Sequence, residues 1–141
     1  MALLKEFEIK ITSDYDNVAK VNDEVREILE DNGVESYILN AFQICIMESI
    51  NNIIKHAYKE QKNKSICVKL KVDNKLVEME IIDEGEPNNN FSIPNLDFDP
   101  KDINNLPESG MGLYIMNQLM DELSYDRRDG KNYLTLKKWL Y

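Results

Sequence analysis

Phe7, Ile9 and Ile11 alternate with Glu6, Glu8 and Lys10, the period-two pattern of a strand with one buried face. The period then lengthens. From Asp14 to Asn32, Val18, Val21, Val25, Ile28 and Leu29 recur every three or four residues and Gly33 follows, which predicts a surface helix with a glycine at its C-terminus. A second helix is predicted from Tyr37 to Lys59, with Leu39, Phe42, Ile46, Ile50, Ile53 and Ala57 on one stripe and more apolar groups beside it. That makes it the central, best-covered helix. Alternation returns in Ile66, Val68, Leu70 and Val72, pauses at Asp73-Asn74 and resumes in Val77, Met79 and Ile81, which predicts a hairpin.

Between Glu86 and Pro107 neither period holds: asparagines and prolines crowd around Phe91, Ile93, Leu96 and Phe98, the composition of a long loop. Loops of such length are usually functional or disordered. Gly110 to Glu122 predicts a third helix through Leu113, Met116, Leu119 and Met120, and an Asp129-Gly130 turn joins two last strands. The order of elements predicts one domain over residues 1–141 and an α/β (α+β) two-layer sandwich, a mixed sheet with its helices on one face.

With 26 acidic against 17 basic residues and a net charge of -9, the chain would be repelled by a phosphate backbone, so direct nucleic-acid binding is disfavoured. No apolar run approaches the length of a membrane span, and Lys5-Glu6 interrupt the start where a signal peptide needs apolar residues; the expectation is a cytoplasmic protein with no membrane role. Cys45 and Cys67 lack CxxC spacing and read as buried, reduced and structural.

Three short polar signatures carry the candidate chemistry. In the first, Glu48 and Asn52 are four residues apart and share one helix face, with His56-Ala57-Tyr58 behind them. That face lies nearly opposite the apolar stripe, so taken alone it is an ordinary solvated side, although Ala41, Ile44 and Cys45 flank it. His56, near a helix end, reads as a capping or packing residue. In the second, Asp83 continues the parity of Val77, Met79 and Ile81 and so points to the buried side at a strand end, where an acid needs a partner. Asp83 is either a turn former before Gly85 or the acceptor for an exocyclic amine such as adenine's, with Gly85 admitting the base to the backbone. In the third, Gly110-Met111-Gly112 opens an amphipathic helix whose free N–H groups suit phosphate oxygens. Neither a Walker lysine motif nor GxGxxG is present.

In their order, spacing and flanks these residues resemble the GHKL (Bergerat-fold) ATPase superfamily, and within it the bacterial anti-sigma serine/threonine kinases of the RsbW and SpoIIAB type. Glu48, Asn52 and His56-Ala57-Tyr58 match that family's acid-x-x-x-Asn box and its continuation; Asp83-Glu84-Gly85 match its Asp-x-Gly box. Ser109 to Gly112, followed by Met120-Asp121-Glu122, match its Ser-Gly-Met-Gly segment. The resemblance implies an ATP site with a lid over about residues 86–109. It implies Mg²⁺ held by Asn52, adenine bound by Asp83 with Gly85, and the triphosphate admitted by Gly110, Met111, Gly112 and Leu113. Glu48 becomes the general base toward a serine or threonine of a small anti-anti-sigma (STAS-type) antagonist. A sigma factor or similar regulatory target and a homodimer are further implications, and the alternative reading is an ATP-dependent binding module with little or no kinase activity. Two departures bear on that choice: Glu86-Pro87 follow the Asp-x-Gly box where relatives commonly continue x-Gly, and Glu108 stands where relatives often carry arginine, leaving Lys101 the lid's one positive charge.

Overall fold

The computed structural model describes residues 4–88 and 111–140. Most of the expected lid, with Lys101, Glu108, Ser109 and Gly110, lies outside the described residues. The elements run β1 (Lys5–Thr12), α1 (Asp16–Asp31), α2 (Ser36–Asn52), a π-helical turn (Ile53–Ala57), β2 (Ser65–Val72), β3 (Leu76–Asp83), α3 (Met111–Leu119), β4 (Glu122–Arg128) and β5 (Lys131–Trp139).

The five strands form one sheet in the order β1-β2-β3-β5-β4, with every neighbouring pair antiparallel. A mixed sheet was the expectation, and the reason for the difference is where β5 goes. The connection through α3 does bring β4 back in the direction of β3, as a crossover helix should. β5 then returns between the two, so the parallel pair never becomes adjacent. The Asp129-Gly130 turn that allows this has φ of 53° and 77°, both positive, as a type I′ hairpin requires.

One face of the sheet carries Ile9, Val68, Met79 and Leu136 against the helices and is buried. The other face is charged, and its signs alternate from strand to strand: Glu6, Lys71, Glu78, Lys137 and Glu122 stand in cross-strand register. Lys137 Nζ lies 3.4 Å from Glu78 and 3.6 Å from Glu122. Such exposed pairs contribute little stability, but they leave this face wet and fix the helix layer on the opposite one. Cys67 lies on this outer face half-buried, its thiol 3.5 Å from Glu8 Oε1, whereas Cys45 is fully buried and its thiol is pushed up to about 12 by that burial.

Val18, Val21, Val25 and Leu29 bury one side of α1. Its end is a Schellman motif in which Gly33 N–H bonds Glu30 O at 3.0 Å and Val34 N–H bonds Leu29 O at 3.0 Å, with Gly33 at φ 74°. α2 is the central helix, burying Phe42, Ile46 and Ile50 completely. It stays α-helical only to Asn52, where an unbroken helix to Lys59 was expected. Tyr58 N–H reaches back five residues to Ile53 O at 2.9 Å, so the last turn is widened. α3 also stops early, at Leu119 rather than Glu122. Lys138 Nζ donates to Leu119 O at 2.7 Å, a cation placed at the negative end of the helix, and Asp121 N–H has already joined the sheet through Lys137 O.

Candidate nucleotide site

The first and third signatures meet at the start of α3. A Cβ added to Gly112 would lie 2.6 Å from Glu48 Oε2 and 3.5 Å from Asn52 Nδ2, so in the first turn of α3 this glycine sets bare backbone directly on the polar strip of α2. Below this contact, Ser49 Oγ donates to Met116 Sδ at 3.1 Å, both residues buried, and holds the two helices together. Glu48 and Asn52 are therefore half-buried rather than a solvated side, because α3 covers what the α2 pattern alone leaves open. Ile44 and Met47, next to them, stay exposed. Leu113 packs against the core, so what it offers a ligand is its backbone N–H in the first turn, where helical N–H groups lack intrahelical partners. Gly110 and the side chain of Met111 lie outside the described residues.

The second signature is attached to the same helix through its π-turn. A Cβ on Gly85 would fall 2.6 Å from Ala57 O and 2.8 Å from Ala57 Cβ, so this glycine is required by close backbone approach. Glu86 N–H bonds Ala57 O at 3.0 Å and the Glu86 carboxylate lies 3.0 Å from Lys59 Nζ, which fixes the chain just before Pro87. Tyr58 completes the clasp: its hydroxyl donates to Ser65 O and accepts Glu84 N–H at 2.7 Å. His56 is exposed on the turn. Tyr58→Phe keeps the ring but strands the Glu84 N–H and Ser65 carbonyl, so a loss of about 1–3 kcal/mol is expected in urea unfolding.

Asp83 is 5% exposed and points to the helix side, as its parity predicted. Its Oδ1 accepts Gly85 N–H at 2.9 Å and Asn132 Nδ2 at 2.8 Å, while Oδ2 accepts no hydrogen bond among the described residues. Burial raises its pKa; the Asn132 amide, the Gly85 N–H and the Arg127 charge oppose that rise, and Glu84 adds to it. Oδ1 therefore makes the turn before Gly85, and Oδ2 is the oxygen left for a further donor.

Asn132, Arg127 and Tyr125 were not among the sequence candidates. Asn132 sits opposite Asp83 in the β3–β5 register and opposite Arg127 in the β4–β5 register, and is 1% exposed. Arg127 Nη1 donates to Asn132 Oδ1 at 2.7 Å and to Gly85 O at 3.1 Å, and Tyr125 Oη donates to Asn132 Oδ1 at 2.9 Å. The hairpin turn at Asp129-Gly130 was enough to pair Arg127 with Asn132. No signal in the sequence put β5 beside β3.

Between the level of Glu48 and that of Ala57 the helix rises by roughly 13 Å. The structure therefore places an acceptor with a glycine-backbone loop at one end of a half-buried polar strip and a glycine-opened helix start at the other. Two further concavities lie elsewhere, one on the outer sheet face around Glu6, Glu8, Lys71 and Glu80 and one beside Gly33 and Asn74; neither includes the signature residues. Among the described residues no helix is long and apolar enough to cross a membrane, and no group of three or more His, Cys, Asp and Glu is placed to hold a metal.

Comparison with known proteins supplies a family. The histidine kinase-like ATPase domain matches residues 11–138. The serine-protein kinase RsbW of Bacillus mycoides is 30% identical over 97% of this chain and 87% of its own length, and that of Bacillus thuringiensis is 29% identical with the same coverage. The RsbW of Bacillus subtilis is 31% identical over 62% of this chain, a match that spans 57% of the relative's length. Among solved structures, one of the RsbU and RsbW domains of a Mycobacterium tuberculosis protein superposes with a TM-score of 0.69, covering 95% of this chain and 31% of that one at 18% identity, a likeness of fold.

Proposed function

The chain belongs to the histidine kinase-like ATPase domain family, the GHKL group that includes its RsbW relatives, and from that premise we propose that it is an ATP-binding anti-sigma factor and protein serine/threonine kinase whose substrate is an anti-anti-sigma antagonist. The observation that carries this reading is the seating of Gly112 on Glu48 and Asn52, which joins a carboxylate, an amide and the first turn of a helix in one place. The residues present fit ATP: a buried carboxylate with an open oxygen suits the adenine amine, and the first turn of α3, with glycine at Gly112, suits phosphate oxygens. They also fit Mg²⁺, because this ion is usually held by one or two protein ligands together with substrate phosphates, and Asn52 offers that and no closed cage. When bound, Mg²⁺ would neutralise charge on the transferring phosphoryl group.

The chain's own part is positioning. Asp83 and Gly85 hold the base, Asn52 orients the triphosphate, Gly110, Met111, Gly112 and Leu113 present N–H groups to it, and Glu48 takes the proton from the attacking hydroxyl. Residues 86–109 act as the lid. In this reading the protein is cytoplasmic and homodimeric, and it holds a sigma factor or similar target until the unphosphorylated antagonist displaces it. The test is incubation with γ-labelled ATP, magnesium and a candidate STAS-type antagonist: label appearing on serine or threonine is the expected result. ATP bound without transfer would leave a regulatory binding module instead. In the same assay Asn52→Ala is expected to lose the magnesium-dependent gain in ATP affinity; an unaltered dependence on magnesium would remove Asn52 from its role.

A further inference from the structure

We propose that Asn132, held by Arg127 and Tyr125, is the residue that makes Asp83 selective for a purine carrying an exocyclic amine. The inference rests on the nucleotide reading above and names a specificity determinant within it.

The orientation of the Asn132 amide follows from its neighbours. A guanidinium has donors only, so the oxygen 2.7 Å from Arg127 Nη1 must be Oδ1, and the Tyr125 hydroxyl, which accepts Asn88 N–H at 2.8 Å, can direct its own proton to the same oxygen. Nδ2 is then turned toward Asp83 Oδ1 at 2.8 Å and Gly85 O at 3.1 Å. Asp83 makes no direct ion pair with Arg127; the amide stands between them and passes on a donor in place of a cation. Two donors, Asn132 Nδ2 and Gly85 N–H, saturate one carboxylate oxygen and fix the plane of the group. Oδ2 is left as a pure acceptor on a side chain that cannot rotate to offer anything else. A base presenting a donor amine is accepted there. A base presenting a carbonyl meets a fixed negative oxygen and is rejected, and one with only hydrogen gains nothing.

The test compares affinities for ATP and for purine riboside triphosphate, which lacks the 6-amino group, in the full chain with magnesium, by calorimetric titration. Inosine triphosphate, with a 6-oxo group, is the third probe. The wild-type protein is expected to prefer ATP to purine riboside triphosphate by about ten- to hundredfold, the range of one hydrogen bond to a charged group, and to bind inosine triphosphate more weakly still. Asn132→Leu should bring the ATP preference close to unity while leaving purine riboside triphosphate affinity within about threefold. Parallel weakening of both ligands would mean a merely structural role, and an unchanged ratio would remove Asn132 from base selection; either overturns the proposal. Because a buried leucine could disturb the fold, Arg127→Met is the second variant. Arg127 is exposed, and its loss frees the amide to turn, so the ATP preference should fall here as well; an unaltered preference again overturns the proposal. Failure of the wild-type chain to bind any of the three nucleotides would instead overturn the nucleotide reading itself, and this inference with it.

Discussion

Glu48→Gln is expected to lower the rate of phosphoryl transfer to the antagonist by about 10²–10⁴-fold, the usual contribution of a positioned general base, while ATP affinity stays close to wild type. The substitution removes the carboxylate proposed to accept the proton and keeps the volume. Glu48 is held half-buried between α2 and the start of α3, with its Oε2 at the place where a side chain on Gly112 would otherwise be. A glutamine of the same length can occupy that slot, so the α2–α3 contact should survive, and thermal unfolding of the variant checks that it does. Binding is expected to persist because Asp83 and Gly85, where the base is proposed to sit, are not touched. Single-turnover transfer, followed by label on the antagonist with ATP saturating, separates the chemical step from binding. Transfer at the wild-type rate would show that Glu48 is not the base. Parallel loss of ATP binding and transfer would show that its carboxylate serves the nucleotide rather than the attacking hydroxyl.

The parts of this site that could be read in the sequence are those in which one element carries its own evidence. Glu48 and Asn52 share a face because four residues make about one helical turn, and Asp83 faces inward because a strand alternates. The fold class followed in the same way, from periods and their order. What could not be read depends on contacts between distant elements. The antiparallel character of the sheet is decided by β5 inserting between β3 and β4, and this choice of neighbour leaves no local mark on either strand. Asn132 was missed for that reason, since nothing within Lys131–Trp139 says that this asparagine is opposite an aspartate. The half-burial of Glu48 was missed because α3 supplies the cover from more than sixty residues away. The early ends of α2 and α3 were missed because the π-turn at Ile53–Ala57 and the lysine at Leu119 answer to the loop and sheet they touch, not to hydrophobic period.

Gly85→Ala is expected to destabilise the fold by at least the 1–3 kcal/mol typical of overpacking, and to weaken ATP binding together with stability. The obstacle is backbone. The added methyl would lie 2.6 Å from Ala57 O and 2.7 Å from Ala57 C, atoms that cannot swing aside as a side-chain end can. Neither partner is free to retreat. Ala57 O accepts Glu86 N–H at 3.0 Å, Gly85 N–H is bonded to Asp83 Oδ1 at 2.9 Å, and Gly85 O accepts from both Arg127 and Asn132 at 3.1 Å. Relieving the clash therefore means lifting the loop off the π-turn, which withdraws the N–H that helps to fix Asp83. A lower urea midpoint with an unchanged m-value would report the packing cost, and ATP titration under conditions where the variant is folded would report the effect on Asp83. Ala57→Gly in the same chain removes the 2.8 Å contact with Cβ but leaves the carbonyl in place, so the double variant should recover only part of either loss. Full recovery would identify the methyl–methyl contact, rather than the backbone approach, as what the glycine is there to avoid.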